Sequence, residues 1–266
     1  MNDHGTASIG SWVEFASSVF RQLPRPEEMD ETTCEGWSKN QAALKKTLAG
    51  ALLRPTKVAV SAKPKIVKAL PDIDWLKSYE SLGMKAEYEE AMETLPKWSD
   101  PNLWIVPVVA SKDRKKVVTR NMVIVAMRKS GVKVWTYADD LDASIVSNDR
   151  DPANSSYLIG FRRTIEADEE NKNLSANVLA SRGHKGTTCL ERELLGHGYY
   201  LATRQHLDVK CVTLCPGSRD RVGDVPSVVF YRSHGRVYVS RYYPGGHSDY
   251  LRSRSAVPPP VALQLA

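Results

Sequence analysis

A capping signal, a helical pattern and three strand patterns follow one another between Thr187 and Val239, and this segment constrains the fold most. Thr188 and Glu191 have the spacing of a capping box, in which each side chain accepts a hydrogen bond from a backbone N–H group of the first helical turn. Apolar and aromatic residues then recur at helical spacing as far as Leu201. The pattern predicts a helix over 188–204 with one face in a core.

Strand patterns follow this helix. The run Val209–Leu214 is rich in β-branched residues, and Pro216-Gly217 ends it. Two further runs, at 226–232 and 236–242, are separated by the three residues 233–235, so we predict a β-hairpin there. Together with the capped helix, these strands indicate a β-rich region in the C-terminal part of the chain.

Helical patterns occupy the first hundred residues, and the composition changes near Pro101. Apolar residues at helical spacing predict helices at 11–22, 37–53, 73–82 and 85–95. Strand-like runs with basic segments between them follow at 103–109, 117–127 and 132–137. Three such strands in succession predict an antiparallel meander.

These patterns place the chain in the α+β class, with an N-terminal helical region followed by an antiparallel β-rich region. We predict three parts, which are a helical region over 1–98, an α+β domain over 99–250 and a mobile tail over 251–266. The tail is predicted because its residues, including Pro258-Pro259-Pro260, have no core pattern.

Length and composition allow a sizeable core, because 42% of the 266 residues are hydrophobic. The formal net charge of +6 makes the chain mildly basic. After residue 200 the cations are eight arginines and one lysine, and planar guanidinium groups suit the recognition of phosphate or carboxylate. No secretory signal or membrane-spanning stretch is evident, so we expect a soluble, cytoplasmic protein without a membrane partner.

The cysteine spacing argues against a metal site. If Cys211 and Cys215 share one strand, they lie about 13 Å apart at about 3.3 Å per residue, which is too far for one zinc ion or one disulfide bond. Cys189, on the predicted helix, is expected to be a buried free thiol. We therefore expect neither a metal nor another cofactor.

Three segments resemble a group of uncharacterised hypothetical bacterial proteins. They are Thr188–Pro226, which contains His206-Leu207-Asp208 and Gly217-Ser218-Arg219, together with Glu166–Asn177 and Leu251–Ser255. The chain departs from the group's helix at two places, with Gly196 where a helix former is expected and Arg204 where a terminating glycine is expected. The resemblance implies no known activity, cofactor or active site, so no functional residue is transferred from it.

The hairpin supplies the preferred functional hypothesis, which is non-enzymatic binding of an anionic partner, nucleic acid first. If Arg232 pairs with Arg236, then Phe230 faces Tyr238, and arginines and aromatic rings share one face of the ribbon. A one-residue change of register would mix the two faces. The predicted ligand-binding residues, which include two arginines of the loop at 216–225, are Arg219, Arg221, Phe230, Arg232, Arg236 and Tyr238.

Ordinary structural roles and two other functions remain open at this point. The hairpin can be buried on both sides with its arginines extending to water, and the loop arginines can pair with aspartates. An enzymatic alternative is a small hydrolase that uses His206 and Asp208 with Cys215 or Ser218. A third alternative is a structural or protein-interaction protein, which predicts an exposed apolar patch.

Overall fold

The computed structural model describes residues 31–45 and 70–260, and the chain divides into two units between Val67 and Lys68. In the first unit, helix α1 (Glu31–Lys39) is followed by a helical segment at 41–45. The helix predicted at 11–22 and the part of the helix predicted at 37–53 that follows residue 45 lie outside the described residues. The helices predicted at 73–82 and 85–95 are present, but they belong to the same unit as the sheets, so the predicted boundary after residue 98 does not match this division.

The second unit confirms the α+β class. Its helices are α2 (Trp75–Ser81), α3 (Lys85–Thr94), α4 (Arg120–Lys129), α5 (Leu141–Ser144), α6 (Ala176–Ser181) and α7 (Cys189–Thr203). Its strands are β1 (Leu103–Val108), β2 (Val134–Thr136), β3 (Ile145–Asn148), β4 (Tyr157–Arg162), β5 (Val212–Leu214), β6 (Ser218–Asp220), β7 (Val225–Tyr231), β8 (Arg236–Tyr242) and β9 (Leu251–Ser253).

A five-stranded sheet with the order β2-β8-β7-β5-β9 organises the second unit. Its inner neighbours are antiparallel, whereas the two outer strands, β2 and β9, each run parallel to their neighbour. Strands β1 and β4 form a separate antiparallel pair, and so do β3 and β6. The sheet therefore combines parallel and antiparallel strand pairs, whereas the sequence analysis predicts only antiparallel pairs.

Helix α7 lies in the main core, and its capping box is confirmed. The Thr188 and Glu191 side chains both accept the expected backbone hydrogen bonds. The helix ends at Thr203, and the capping residue Arg204 adopts the left-handed conformation in place of glycine. Gly198 allows a neighbouring segment to approach closely, because a Cβ atom there would lie 2.7 Å from Cγ2 of Ile73. At Gly196, where the sequence departs from the helical pattern, a Cβ atom would lie 2.5 Å from Nη1 of Arg192. Close packing thus explains both glycines of the helix.

The predicted meander is wrong, because residues 120–129 form helix α4 instead of a strand. Thr119 caps this helix, and Val123, Ile124 and Met127 are buried at helical spacing in the same core as α7. The β-branched residues that indicated a strand are thus accommodated by packing against another helix, which outweighs local propensity. Strand β1 pairs with β4, and β2 pairs with β8.

The prediction of a mobile tail is wrong for residues 251–260. Strand β9 pairs with β5, and Leu251 is fully buried in a second, smaller core. Arg254 is only 1% exposed, and Ala256 contributes to the main core. Because these residues pack at scattered positions, they produce no periodic pattern in the sequence.

Candidate functional site

The register of the β7–β8 hairpin decides which side chains share a face, and it differs by one residue from the predicted register. Tyr231 pairs with Arg236 and Val229 with Tyr238, across a four-residue turn at 232–235. Phe230 pairs with Val237, so Phe230 and Tyr238 lie on opposite faces of the sheet. The predicted Arg/aromatic face, with Phe230 opposite Tyr238, is therefore wrong.

Phe230 lies on the face that packs against the main core. Its ring stacks on the His206 ring at a centroid distance of 3.8 Å, and His206 in turn stacks on Tyr200 of α7 at 4.9 Å. All three rings of this stack are partly buried, and Tyr200 and Phe230 pack against the main core. Phe230 thus has a packing role.

The opposite face carries an exposed group of rings near the hairpin turn, here called the aromatic cluster, which comprises Trp135, Tyr231, His234 and Tyr238. The Tyr238 ring lies 5.4 Å from Trp135 and 5.2 Å from Tyr231, and its hydroxyl group is 2.8 Å from Nδ1 of His234. Trp135 remains 42% exposed and Tyr231 40%. Since the rings support one another and still contact solvent, the cluster is a preformed aromatic surface.

Three cationic residues lie next to members of the aromatic cluster along the chain or across the sheet. Arg236 lies on the same face as Tyr231, its cross-strand partner, and its Nε atom has no hydrogen-bond partner among the described residues. Arg232 in the turn and Lys133, two residues before Trp135, are exposed. None of these three cations forms an ion pair with a described carboxylate, so no described side chain offsets their charges.

The rest of this sheet face is covered. Ala176 and Leu179 of helix α6 pack with Val212, Leu214 and Leu251 of the sheet in the smaller core. The exposed part is thus confined to the hairpin end, which limits a ligand site to the aromatic cluster and its cations.

The predicted loop arginines lie elsewhere. Arg219 donates to the carbonyl oxygens of Pro216 and Ser218, and Arg221 donates to that of Ala143. Their neighbour Asp220 pairs with Arg241. Arg241 is five residues from Arg236 along β8, a separation of about 17 Å at about 3.4 Å per residue. The structure therefore does not bring the six predicted ligand-binding residues together.

The side chains of the hydrolase alternative do not converge either. His206 is held in its ring stack, where burial, assisted by the nearby Arg192 charge, lowers its pKa to about 4. Cys215 is fully buried, and Ser218 accepts a hydrogen bond from the backbone N–H of Cys189 while donating to Asn148. No described hydrogen bond joins His206 to any of the other three residues, so the geometry does not form a nucleophile and base pair.

Asp208 instead forms the centre of a buried ion cluster. Its Oδ2 atom accepts from Nε of Arg192 at 2.7 Å and from the Thr213 hydroxyl group, and its Oδ1 atom accepts from Nη2 of Arg254 at 2.8 Å. All three partners are buried, and they come from α7, β5 and the segment after β9. The cluster therefore joins three distant parts of the chain.

Glu166 and Cys211 lie beside Asp208, and the three ligand atoms come within 4.8 Å of one another. However, the Asp208 oxygens are already occupied by two guanidinium groups and a hydroxyl group, and Oε2 of Glu166 accepts from the backbone N–H groups of Lys210 and Cys211. A cation here would have to displace positive charges that are themselves buried. The trio thus suits structural hydrogen bonding better than metal ligation.

We expect the stability difference between the wild type and Asp208→Asn to shrink in acid. Burial acts to raise the pKa of Asp208, but attraction to Arg192 and Arg254 and the accepted hydrogen bonds lower it overall. A carboxyl whose folded pKa lies below its unfolded value of about 3.9 stabilises the fold above that pH and loses this contribution as the pH falls through the folded value. Urea unfolding of both proteins between neutral pH and acid measures the difference. A difference that stays constant below about pH 3.9 would contradict the assignment.

Comparison with protein-family models, with curated proteins and with solved structures found no match to this chain. Among the helices in residues 31–45 and 70–260, none combines the length and apolar character needed to cross a membrane. Functional inference therefore depends on the geometry of the site itself.

Sequence reasoning missed Trp135, Tyr231 and His234, the three rings of the aromatic cluster other than Tyr238. The signal that could have identified two of them is strand alternation, because Trp135 follows Val134 and Tyr231 follows Phe230, and both of these neighbours pack against the main core on the other face. Assigning side chains to faces from this alternation requires the length of the hairpin turn. The sequence alone does not distinguish a four-residue turn from a three-residue turn.

Proposed function

We propose that the aromatic cluster, together with Lys133, Arg232 and Arg236, binds single-stranded nucleic acid. The observation that carries the proposal is the exposure of several mutually supported rings on one sheet face beside cations that lack a described carboxylate partner. Rings stack on bases irrespective of sequence, and guanidinium and ammonium groups neutralise phosphates.

Single strands fit this surface better than duplexes do. A ring can stack on a base only when the face of the base is free, and a duplex hides those faces between its own base pairs. The exposed area, limited by α6 at one end and by the hairpin turn at the other, suits a contact with a few nucleotides. The net charge of +6 favours the approach of a polyanion.

Binding of a labelled single strand of about 10 nucleotides, followed by fluorescence anisotropy at low salt, tests the proposal. We expect Trp135→Ala and Tyr231→Ala each to weaken binding by roughly 5- to 150-fold, because stacking on one base contributes about 1–3 kcal/mol. Tyr243→Ala is the matched control, because Tyr243 is 66% exposed and lies outside the cluster. Circular dichroism checks that each variant is folded.

The salt dependence separates phosphate contact from ring contact. Three phosphate contacts predict a slope of about −2 for log affinity against log salt, and Arg236→Gln is expected to make that slope less steep. No binding at low salt, or an equal loss in Tyr243→Ala and Trp135→Ala, would refute the proposal. Self-association that Trp135→Ala abolishes would instead assign the cluster to a protein interface, where Trp, Tyr and Arg are enriched.

A further inference from the structure

A pocket with both polar and apolar walls lies in the second unit at the start of helix α4, and it shares no residue with the aromatic cluster. Its volume is about 220 Å³, and its walls include Arg120 of α4, Asn148 at the end of β3, Arg150 and Leu190 of α7. An apolar cavity of about 150 Å³ accommodates benzene, so this pocket is large enough for a small organic molecule.

Arg120 brings a buried cation to the pocket wall. The residue is 8% exposed, and its Nη2 atom donates to the Ile145 carbonyl oxygen at 3.2 Å. Its Nη1 atom makes only a long contact of 3.4 Å with Oδ1 of Asn148. Its Nε atom is 3.2 Å from Oδ1 of Asp142 but makes no hydrogen bond of good geometry. The donors of this guanidinium group are therefore incompletely satisfied.

Two further donors line the same pocket. Arg150 uses Nε and Nη2 to bind Glu191 and the Gly186 carbonyl oxygen, which leaves its Nη1 atom without a hydrogen bond to a described residue. Asn148 uses its Oδ1 atom to accept from Ser218 and from Arg120, and its side-chain nitrogen makes no described hydrogen bond. Three side chains thus present spare N–H groups around one cavity.

The acceptors near the pocket are already in use. The Asp142 carboxylate accepts from the backbone N–H groups of Arg120 and Asn121 at 2.9 and 3.1 Å, which neutralises the start of α4. The Glu191 carboxylate accepts from Arg150, Tyr157 and the backbone of Thr188. At the rim, Oδ1 of Asp151 accepts from the Ala153 backbone. The pocket walls therefore have more unused hydrogen-bond donors than unused acceptors, and a complementary ligand must supply acceptors.

From these contacts we propose that the pocket binds a small organic carboxylate with an apolar body. The carboxylate oxygens accept from Arg120, Asn148 and Arg150, and the body lies against the apolar wall formed by Val117, Pro152, Ala153 and Leu190. Net charge does not drive this recognition, because Asp142 and Glu191 pair with the two guanidinium groups and Asp151 adds a further carboxylate at the rim. The spare N–H donors carry it, and a phosphate dianion is disfavoured by the three carboxylates.

Benzoate is the probe, and its uncharged analogue benzamide is the matched ligand control. Titrations monitored through the arginine side-chain Nε resonances should show saturable shifts at Arg120 and Arg150 with benzoate. Benzamide should bind at least about tenfold more weakly, because hydrogen bonds to charged groups are stronger than neutral ones. Inorganic phosphate should not compete at the concentration that saturates benzoate.

A variant that closes the mouth of the pocket supplies the second readout. Ala153 is exposed at the rim, so Ala153→Trp should abolish benzoate binding without changing the unfolding midpoint, whereas Ala153→Ser should bind as the wild type does. Equal affinity for benzoate and phosphate, no shift at either arginine, or binding unaffected by Ala153→Trp would each overturn the proposal.

Discussion

Replacing Asp208 with alanine is expected to lower the free energy of unfolding by about 3–5 kcal/mol. The carboxylate is fully buried and forms ion pairs with Arg192 and Arg254, which are also buried. Removing it leaves two guanidinium charges in the interior without a counter-charge, and the Thr213 hydroxyl group loses its acceptor. The cost arises mainly from these unpaired partners and not from the lost attraction itself.

Urea unfolding at neutral pH measures this effect, and Asp249→Ala is the control. Asp249 is exposed, and its side chain makes no described hydrogen bond or ion pair, so its replacement should change the free energy of unfolding by no more than about 0.5 kcal/mol. Equal effects of the two substitutions would show that the buried ion cluster contributes nothing particular to stability.

The second large effect is expected from shortening the chain so that it ends at Tyr250. This removes strand β9, the buried Leu251 side chain and Arg254, the second partner of Asp208. Loss of Arg254 alone costs about 3–5 kcal/mol, and loss of a buried leucine adds about 1.5–3 kcal/mol. Because a whole domain is stable by only about 5–15 kcal/mol, we expect the shortened protein to lose its cooperative unfolding transition.

A chain that ends at Pro260 is the matched control, since it keeps every described residue of the second unit. The difference in urea unfolding midpoint between the two shortened chains measures the contribution of residues 251–260. If the protein ending at Tyr250 instead unfolds with the same midpoint and the same slope, residues 251–260 make no energetic contribution to the fold.

The parts of the fold that the sequence predicts correctly depend on local interactions. The capping box at Thr188 joins residues three positions apart, and α7 begins where that signal predicts. The hairpin runs at 226–232 and 236–242 correspond to β7 and β8 within one residue, because alternation and β-branched residues are also local signals.

The errors occur where a distant partner decides between local alternatives. Helix α4 contains the β-branched residues Val123 and Ile124, which indicate a strand, yet burying them beside α7 favours the helix that Thr119 caps. Arg254 belongs to a stretch without periodicity, and its burial is explained by distant partners, which are Asp208, 46 positions earlier, and the carbonyl oxygens of Thr164 and Ile165. No pattern within a short window contains that information.

The candidate site shows the same division. Aromatic and arginine residues in the hairpin are visible in the sequence, but the four-residue turn moves Phe230 into the core and leaves Tyr231 on the exposed face, where Tyr238 lies between it and Trp135. Trp135 lies on a strand almost a hundred residues earlier, and it reaches the hairpin only because β2 pairs with β8.

The sequence by itself determined the α+β class, the capped helix and the two hairpin strands, because caps and hydrophobic periodicity act over a few residues. The tertiary structure alone decided the strand register, the exposed face and the burial of Asp208 with its two arginines. Those features depend on strand pairing and burial between segments that are distant in the sequence. Such interactions form only when these segments pack together, so no local pattern reveals them.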